Sequence, residues 1–70
     1  MKWIKIELTR GFPSAEQTRE ILSSFPVVLR YEIEGYIGYQ VFTARDDRNC
    51  VEGEVERGYY YTHYMHINEP

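Results

Sequence analysis

Residues 27–44 decide the fold, and they read VVLRYEIEGYIGYQVFTA. Alternation predicts a strand over Val27–Glu34, and four side chains share one of its faces: Val27, Leu29, Tyr31 and Ile33. Gly35 allows a turn, after which Tyr36–Ala44 predicts another strand. The short connection between the two strands predicts an antiparallel hairpin.

On the N-terminal side of the hairpin, Lys2–Thr9 alternates and predicts a strand with one buried face. Ser14 lies three residues before Gln17, as in a capping box, and apolar residues then recur at helical spacing. The sequence therefore predicts a short amphipathic helix over Ser14–Ser24. Pro26 ends it, because the residue before a proline is disfavoured in the helical region.

Toward the C-terminus, Cys50–Glu56 fits two structures. A strand is favoured, because Gly53 weakens a helix by ~1 kcal/mol. The alternative is a helix capped by Asp46 that stops at Gly58. Tyr59–Ile67, rich in aromatic and β-branched residues, predicts a last strand.

These elements predict an α+β fold: a small antiparallel or mixed sheet of four to five strands with one helix packed on one face, in the order β-α-β-β-β-β. The expected core consists of Ile4, Ile6, Leu8, Ile21, Leu22, Leu29, Ile33 and Val41. No second helix is left for the other face of the sheet. We expect that face to carry charges interspersed with Trp3, Phe42 and several tyrosines.

With 70 residues, the chain forms one domain, residues 1–70. A core of this size supplies only about 3–5 kcal/mol of stability. No apolar run is long enough to span a bilayer, and the first residues lack the apolar stretch of a signal peptide. We therefore expect a cytoplasmic protein, with its one cysteine, Cys50, buried as a small apolar residue.

Catalytic and metal-binding patterns are missing from the sequence. There is no nucleophile elbow, metalloprotease motif or phosphate loop. His63 and His66 lie three apart on a predicted strand, so they point to opposite faces and do not chelate one ion. We expect no enzymatic activity, no cofactor and no metal.

Charge and tyrosine content are the features that suggest a function. Residues 32–70 carry three arginines against eight carboxylates, a balance of −5, and the chain has seven tyrosines. If Cys50–Glu56 is a strand, its glutamates form a comb spaced ~7 Å apart that imitates a phosphate backbone. The predicted partner-binding residues are Glu32, Glu34, Asp46, Asp47, Glu52, Glu54, Glu56, Tyr59, Tyr60 and Tyr61.

In its short length, its acidic half and its Tyr59-Tyr60-Tyr61 run, the chain resembles the small acidic inhibitors that phages use against host defence, of the anti-CRISPR or anti-restriction type. The resemblance implies a non-enzymatic protein that blocks a basic, nucleic-acid-handling protein in the host cytoplasm, without binding nucleic acid or membrane itself. Two alternatives stay open. One is an immunity-type protein that neutralises a basic toxin or nuclease. The other is a homodimeric structural or regulatory subunit.

Overall fold

The computed structural model describes residues 2–58 and 60–67. It has an α+β fold, which confirms the predicted class. The described residues form two helices where one was predicted, and neither is long and apolar enough to cross a bilayer. In chain order the elements are β1 (Ile4–Lys5), β2 (Leu8–Thr9), β3 (Phe12–Pro13), α1 (Ala15–Ile21), β4 (Val27–Ile33), β5 (Tyr36–Phe42), α2 (Arg48–Glu56) and β6 (Tyr61–His66).

The predicted hairpin is confirmed. β4 and β5 pair antiparallel along their whole length, from Val27 opposite Phe42 to Ile33 opposite Tyr36. Glu34 and Gly35 join them with φ values of 49° and 82°. Positive φ at both positions is typical of a type I′ turn, whose twist matches that of the paired strands. The complete antiparallel sheet has the order β1-β6-β4-β5, so β5 forms one edge and β1 the other.

The predicted strand Lys2–Thr9 is wrong as a single element. β1 pairs with β6, whereas β2 pairs with β3 in a separate two-stranded sheet. The break has a local cause in the side chain of Gln17. Its Oε1 accepts from the backbone N–H of Glu7 at 2.8 Å, and its Nε2 donates to the carbonyl oxygen of Lys5 at 3.0 Å. These bonds occupy backbone groups that a longer strand would use for pairing.

The first helix begins where the sequence predicts. Ser14 is its N-cap, and the hydroxyl of Ser14 accepts from the backbone N–H of Gln17 at 3.1 Å. The helix is shorter than the predicted Ser14–Ser24, because α1 ends at Ile21 with Leu22 as its C-cap. The second half of the capping box is not made, since the Gln17 side chain bonds to the β1 segment instead.

The favoured strand over Cys50–Glu56 is wrong, because this segment lies in α2. The alternative helix has the right type and the right end, since α2 stops two residues before Gly58. Its cap is Asp47 rather than Asp46, and Asp47 Oδ1 accepts from the backbone N–H of Asn49 at 2.9 Å. An Asp at this position satisfies a free backbone donor of the first turn.

Burial explains why the helix forms despite Gly53. Val51 and Val55 are four residues apart and both are buried against the sheet. Burying each valine contributes about 1.5–3 kcal/mol, which exceeds the ~1 kcal/mol that a helical glycine costs. Cys50, on the same helix, is exposed, so its predicted burial is wrong.

Both helices pack on the same face of the sheet, and the core lies between the helices and the sheet. Four of the eight predicted core residues are buried: Ile6, Ile21, Leu22 and Leu29. The other four are exposed: Ile4, Leu8, Ile33 and Val41. Residues that the prediction omitted complete the cluster: Val27, Phe42, Val51, Val55, Tyr61 and Tyr64. Phe42, expected on the uncovered face, therefore belongs to the core.

Candidate protein-binding surface

The second face of the sheet has no helix over it within the described part of the chain. Strand register defines which side chains point there. Val28 is opposite Val41 of β5 and Met65 of β6, and Arg30 is opposite Tyr39 and His63. Because side chains alternate along a strand, the whole set follows from these pairs. We call this set the open face: Trp3, Lys5, Val28, Arg30, Glu32, Ile37, Tyr39, Val41, His63 and Met65.

The open face has an apolar region that crosses one end of the sheet and continues along β5. The rings of Trp3 and Tyr39 lie 6.0 Å apart between centroids, with an interplanar angle of 36°. Trp3 precedes β1 and Tyr39 is in β5, so this contact reaches over the two central strands. Val28 in the middle is only 8% exposed, although no described helix covers it. We call this region the apolar patch: Trp3, Val28, Ile37, Tyr39, Val41 and Met65.

The apolar patch is nevertheless open to solvent at its rim. Trp3 is 39% exposed and Tyr39 is 59% exposed, and Ile37 and Val41 are exposed as well. Isolated exposed apolar residues are ordinary on a protein surface, but a contiguous cluster marks a site of interaction. Tryptophan and tyrosine are also the residues that most often dominate the binding energy of protein interfaces.

Polar groups occupy the centre of the open face, around Arg30. Its Nη1 donates to the hydroxyl of Thr62 at 2.5 Å, and its Nη2 donates to Glu32 Oε1 at 3.4 Å. The Thr62 hydroxyl donates its one proton to the Arg30 carbonyl oxygen at 3.3 Å. His63 Nδ1, 2.9 Å from the same hydroxyl, is therefore the donor in that contact. This network engages the Arg30 guanidinium beside the apolar patch.

Two of the predicted binding residues have local structural roles. Asp46 Oδ2 accepts from the backbone N–H of Thr43 at 2.7 Å and so closes the turn after β5. Asp47 is the N-cap of α2. Side chains of aspartate in turns and caps commonly bond to nearby backbone in this way. Their carboxylates are already engaged with their own chain.

The predicted comb of Glu52, Glu54 and Glu56 does not exist, because the residues lie on a helix. Residues two apart on a helix point about 200° apart, so Glu54 faces away from the other two. Glu54 Oε1 accepts from the hydroxyl of Tyr60 at 3.1 Å. Glu52 and Glu56 line a groove of about 650 Å³ between the helices, and this groove also contains Arg19 and Arg48.

The predicted tyrosine display is also rearranged. Tyr61 is only 3% exposed and belongs to the core, Tyr60 is half-buried beside it, and Tyr59 lies outside the described residues. Burial raises the pKa of Tyr61, and the neighbouring Tyr60 and Glu54 raise it further. Burial, followed by the charge of Glu20, raises the pKa of Tyr64. Both phenols therefore stay neutral near pH 7 and act as packing residues.

The ten predicted binding residues do not share one surface. Glu32 lies on the open face and Glu34 lies in the turn between β4 and β5, whereas Glu52 and Glu56 lie on the helical side. The exposed aromatic residues missing from the predicted set are Trp3, Phe12, Tyr36 and Tyr39. For Tyr39, the sequence signal was its alternation with Ile37 and Val41. Since the described helices cover only one face of the sheet, Ile37, Tyr39 and Val41 line the other face.

His63 and His66 lie on opposite faces, as predicted. His63 is on the open face, and His66 Nε2 donates to the carbonyl oxygen of Ile21 at 3.0 Å on the helical side. Across residues 2–58 and 60–67, no three His, Cys, Asp or Glu side chains are grouped so that they could hold a metal ion. The histidines serve packing and the Thr62 contact.

No family model, no curated protein and no solved structure matches the chain significantly.

Proposed function

We propose that this protein is a non-enzymatic binding protein whose contact surface is the open face. The observation that carries the proposal is the apolar patch, in which Trp3 and Tyr39 contact each other while both remain substantially exposed. Apolar area that is already assembled on a rigid sheet binds a partner at a low cost in conformational entropy. The neighbouring Arg30 network supplies polar groups for the rim of such an interface.

The partner we propose is a basic protein that handles nucleic acid. The chain carries a net charge of −3, and its second half carries most of the acidic residues. A net negative field attracts basic partners to the protein as a whole and raises the rate of association. The biological role would be inhibition in the cytoplasm, as an anti-defence protein or, with the same physics, as an immunity protein against a basic toxin.

A pair of tyrosines on one strand provides the test. Tyr39 and Tyr36 are both exposed on β5, but they lie on opposite faces of the sheet. Partner capture from host lysate treated with nuclease should be lost with Trp3→Ala and Tyr39→Ala and retained with Tyr36→Ala. Circular dichroism should show all three variants folded. Equal capture by the wild type and Trp3→Ala would refute the open face as the contact surface.

The charge contribution needs its own variant. Glu52→Gln, Glu54→Gln and Glu56→Gln together keep the shapes of these side chains and remove three negative charges. Since the residues do not form a comb, we expect slower association and a weaker dependence on salt, with the dissociation rate unchanged. Surface plasmon resonance against the captured partner measures each of these rates. Complete loss of binding would instead place the contact on α2.

One specific observation favours a second function, binding to single-stranded nucleic acid. The exposed rings of Trp3 and Tyr39 share their face with Lys5, Arg30 and His63. Aromatic rings beside basic groups are the usual platform for unpaired bases. Trp3 is the only tryptophan, so its fluorescence reports on the site directly. Quenching by a single-stranded oligonucleotide at low salt, reversed at high salt, would establish this function in place of the first.

A further inference from the structure

The two edges of the four-stranded sheet differ in how they are protected. β1 spans two residues, and a short edge strand offers little backbone for pairing. β5 spans seven residues, YIGYQVF, with no charged residue, no proline and an uninterrupted register with β4. Proteins usually protect a long edge with a lysine, a proline or a bulge. β5 has none of these.

The turn geometry shows which backbone groups β5 leaves free. In a two-residue hairpin, the pair next to the turn is hydrogen-bonded, and bonded pairs then alternate along the strands. Tyr36, Gly38, Gln40 and Phe42 therefore bond to β4. The N–H and C=O groups of Ile37, Tyr39 and Val41 point outward instead. Hydrogen bonds on the other side of β4 fit this alternation. Glu32 is opposite Ile37, and its N–H donates away from β5, to the carbonyl oxygen of Tyr60 at 3.1 Å.

These outward groups have almost no partner in the described chain. The amide of Gln40 donates to the carbonyl oxygen of Val41 at 3.4 Å, which is a long contact made by an exposed side chain. The remaining N–H and C=O groups of Ile37, Tyr39 and Val41 bond to no described residue. The edge is therefore a regular row of three donors and three acceptors, ready for another strand.

We propose that this strand is β5 of a second copy, paired antiparallel about a two-fold axis at Tyr39. This register places Tyr39 opposite Tyr39 and Ile37 opposite Val41 of the second copy. Every outward group then finds a partner, which gives six hydrogen bonds between the chains. Displacing the register to the next bonded alignment leaves two residues of each strand beyond the end of the other, and one of these two has outward backbone groups.

The side chains on β5 are compatible with themselves across this axis. On the open face, the cross-strand pairs are apolar or aromatic, and on the helical face Gly38 meets Gln40. No charged residue lies opposite a like charge, which would oppose self-pairing. The assembly is an eight-stranded sheet with a two-residue β1 at each outer edge, so it closes at two copies.

The available area indicates a weak, reversible dimer. A standard interface takes ~800 Å² from each partner, about a sixth of the 5062 Å² surface of this protein. A seven-residue edge spans only ~23 Å, so contact along it falls at the low end of interface sizes. We therefore expect the dimer to form with rising protein concentration, with a dissociation constant roughly in the micromolar range.

A charge exchange at the two-fold axis tests both the dimer and its register. Tyr39→Lys and Tyr39→Glu each place like charges opposite each other and remove a ring contact, so each should weaken self-association about tenfold. Mixing the two variants places Lys opposite Glu and should restore the dimer. Sedimentation equilibrium measures all three samples. Ile37→Lys mixed with Val41→Glu should likewise restore association.

Amide exchange supplies an independent readout. The amides of Gly38, Gln40 and Phe42 should be protected at every concentration, since they bond to β4. Protection of Ile37, Tyr39 and Val41 should appear only as the concentration rises. A wild-type protein that stays monomeric to about 0.5 mM would overturn the proposal, because β5 would then not pair with a second copy of this chain. A dimer that survives Tyr39→Lys unchanged would overturn it too.

The dimer does not depend on the proposed function. Trp3 contacts Tyr39 but is not part of the β5 edge, so Trp3→Ala leaves the six backbone hydrogen bonds in place and should weaken association far less than Tyr39→Lys does. Failure of partner capture with an intact dimer would refute only the open-face proposal. A monomeric protein that still captures its partner would refute only the dimer.

Discussion

The packing of Gly38 against Tyr31 offers a sharp test of the fold. Gly38 lies directly opposite Tyr31 in the β4–β5 register, and the phenol ring lies across the glycine. A Cβ atom at residue 38 would collide with that ring. The ring has little room to move, because it contacts Tyr36, Tyr60 and Tyr61 at centroid distances of 6.4, 6.0 and 6.2 Å. Gly38→Ala should therefore destabilise the protein.

Two opposing terms set the size of the effect. Forcing an extra methyl into a packed site costs about 1–3 kcal/mol. Alanine also restricts the unfolded chain, which returns about 0.4–1 kcal/mol. The net loss is about 1–2 kcal/mol, a large share of the roughly 3–5 kcal/mol available to so small a domain. At ~4–8 °C per kcal/mol, the melting temperature should fall by about 5–15 °C.

Thermal unfolding followed by circular dichroism measures this shift, and Gly53→Ala is the matched control. A Cβ atom at residue 53 meets only Arg57 Nη2, at an ordinary 3.5 Å. This variant should gain up to ~1 kcal/mol of helix propensity. Opposite signs for the two substitutions are the expected result. A Gly38→Ala variant that melts at or above the wild-type temperature would refute the Tyr31 packing. So would a Gly38→Ala substitution that costs as much stability in a Tyr31→Ala variant as in the wild type.

Three further predictions concern stability. Leu22→Ala removes a buried core side chain and should cost ~2–5 kcal/mol in urea unfolding. Asp47→Ala removes the α2 cap and should cost about 0.5–2 kcal/mol, whereas Asp47→Asn should retain most of the stability. Because burial raises the pKa of Tyr61 above its ordinary 10.0, the unfolded chain loses that proton first. The contribution of Tyr61 to the free energy of unfolding is therefore constant below pH 10 and falls above it, and Tyr61→Phe should reduce the loss of stability above pH 10.

The hairpin was predictable because its signals are local. Period-two alternation and a glycine turn lie next to each other between Val27 and Ala44, and they do not depend on the rest of the chain. α2 was not predictable in the same way. Val51 and Val55 are four residues apart, and a spacing of four places two residues on one face of a strand or of a helix alike. Packing against the sheet, which the sequence does not display, decides between them.

The candidate site depended on that decision. Glu52, Glu54 and Glu56 form a comb only on a strand, so one misassigned element removed the main predicted contact. Tyr61 and Ile4 show a second limit. Alternation places residues on one of two faces, but it does not say how far the helices extend over the covered face. Tyr61 is buried under α2, whereas Ile4 lies at the sheet edge and stays exposed.

The dimer and the binding surface use different atoms of the same residues. Pairing at β5 consumes backbone N–H and C=O groups, while the side chains of Ile37, Tyr39 and Val41 keep pointing to the open face. Dimerisation therefore joins two apolar patches side by side and leaves both exposed. A partner that contacts both patches binds the dimer more tightly than the monomer. By linkage, binding of that partner must raise the association constant of the dimer by the same factor. The weak dimer is therefore stabilised where the partner is present.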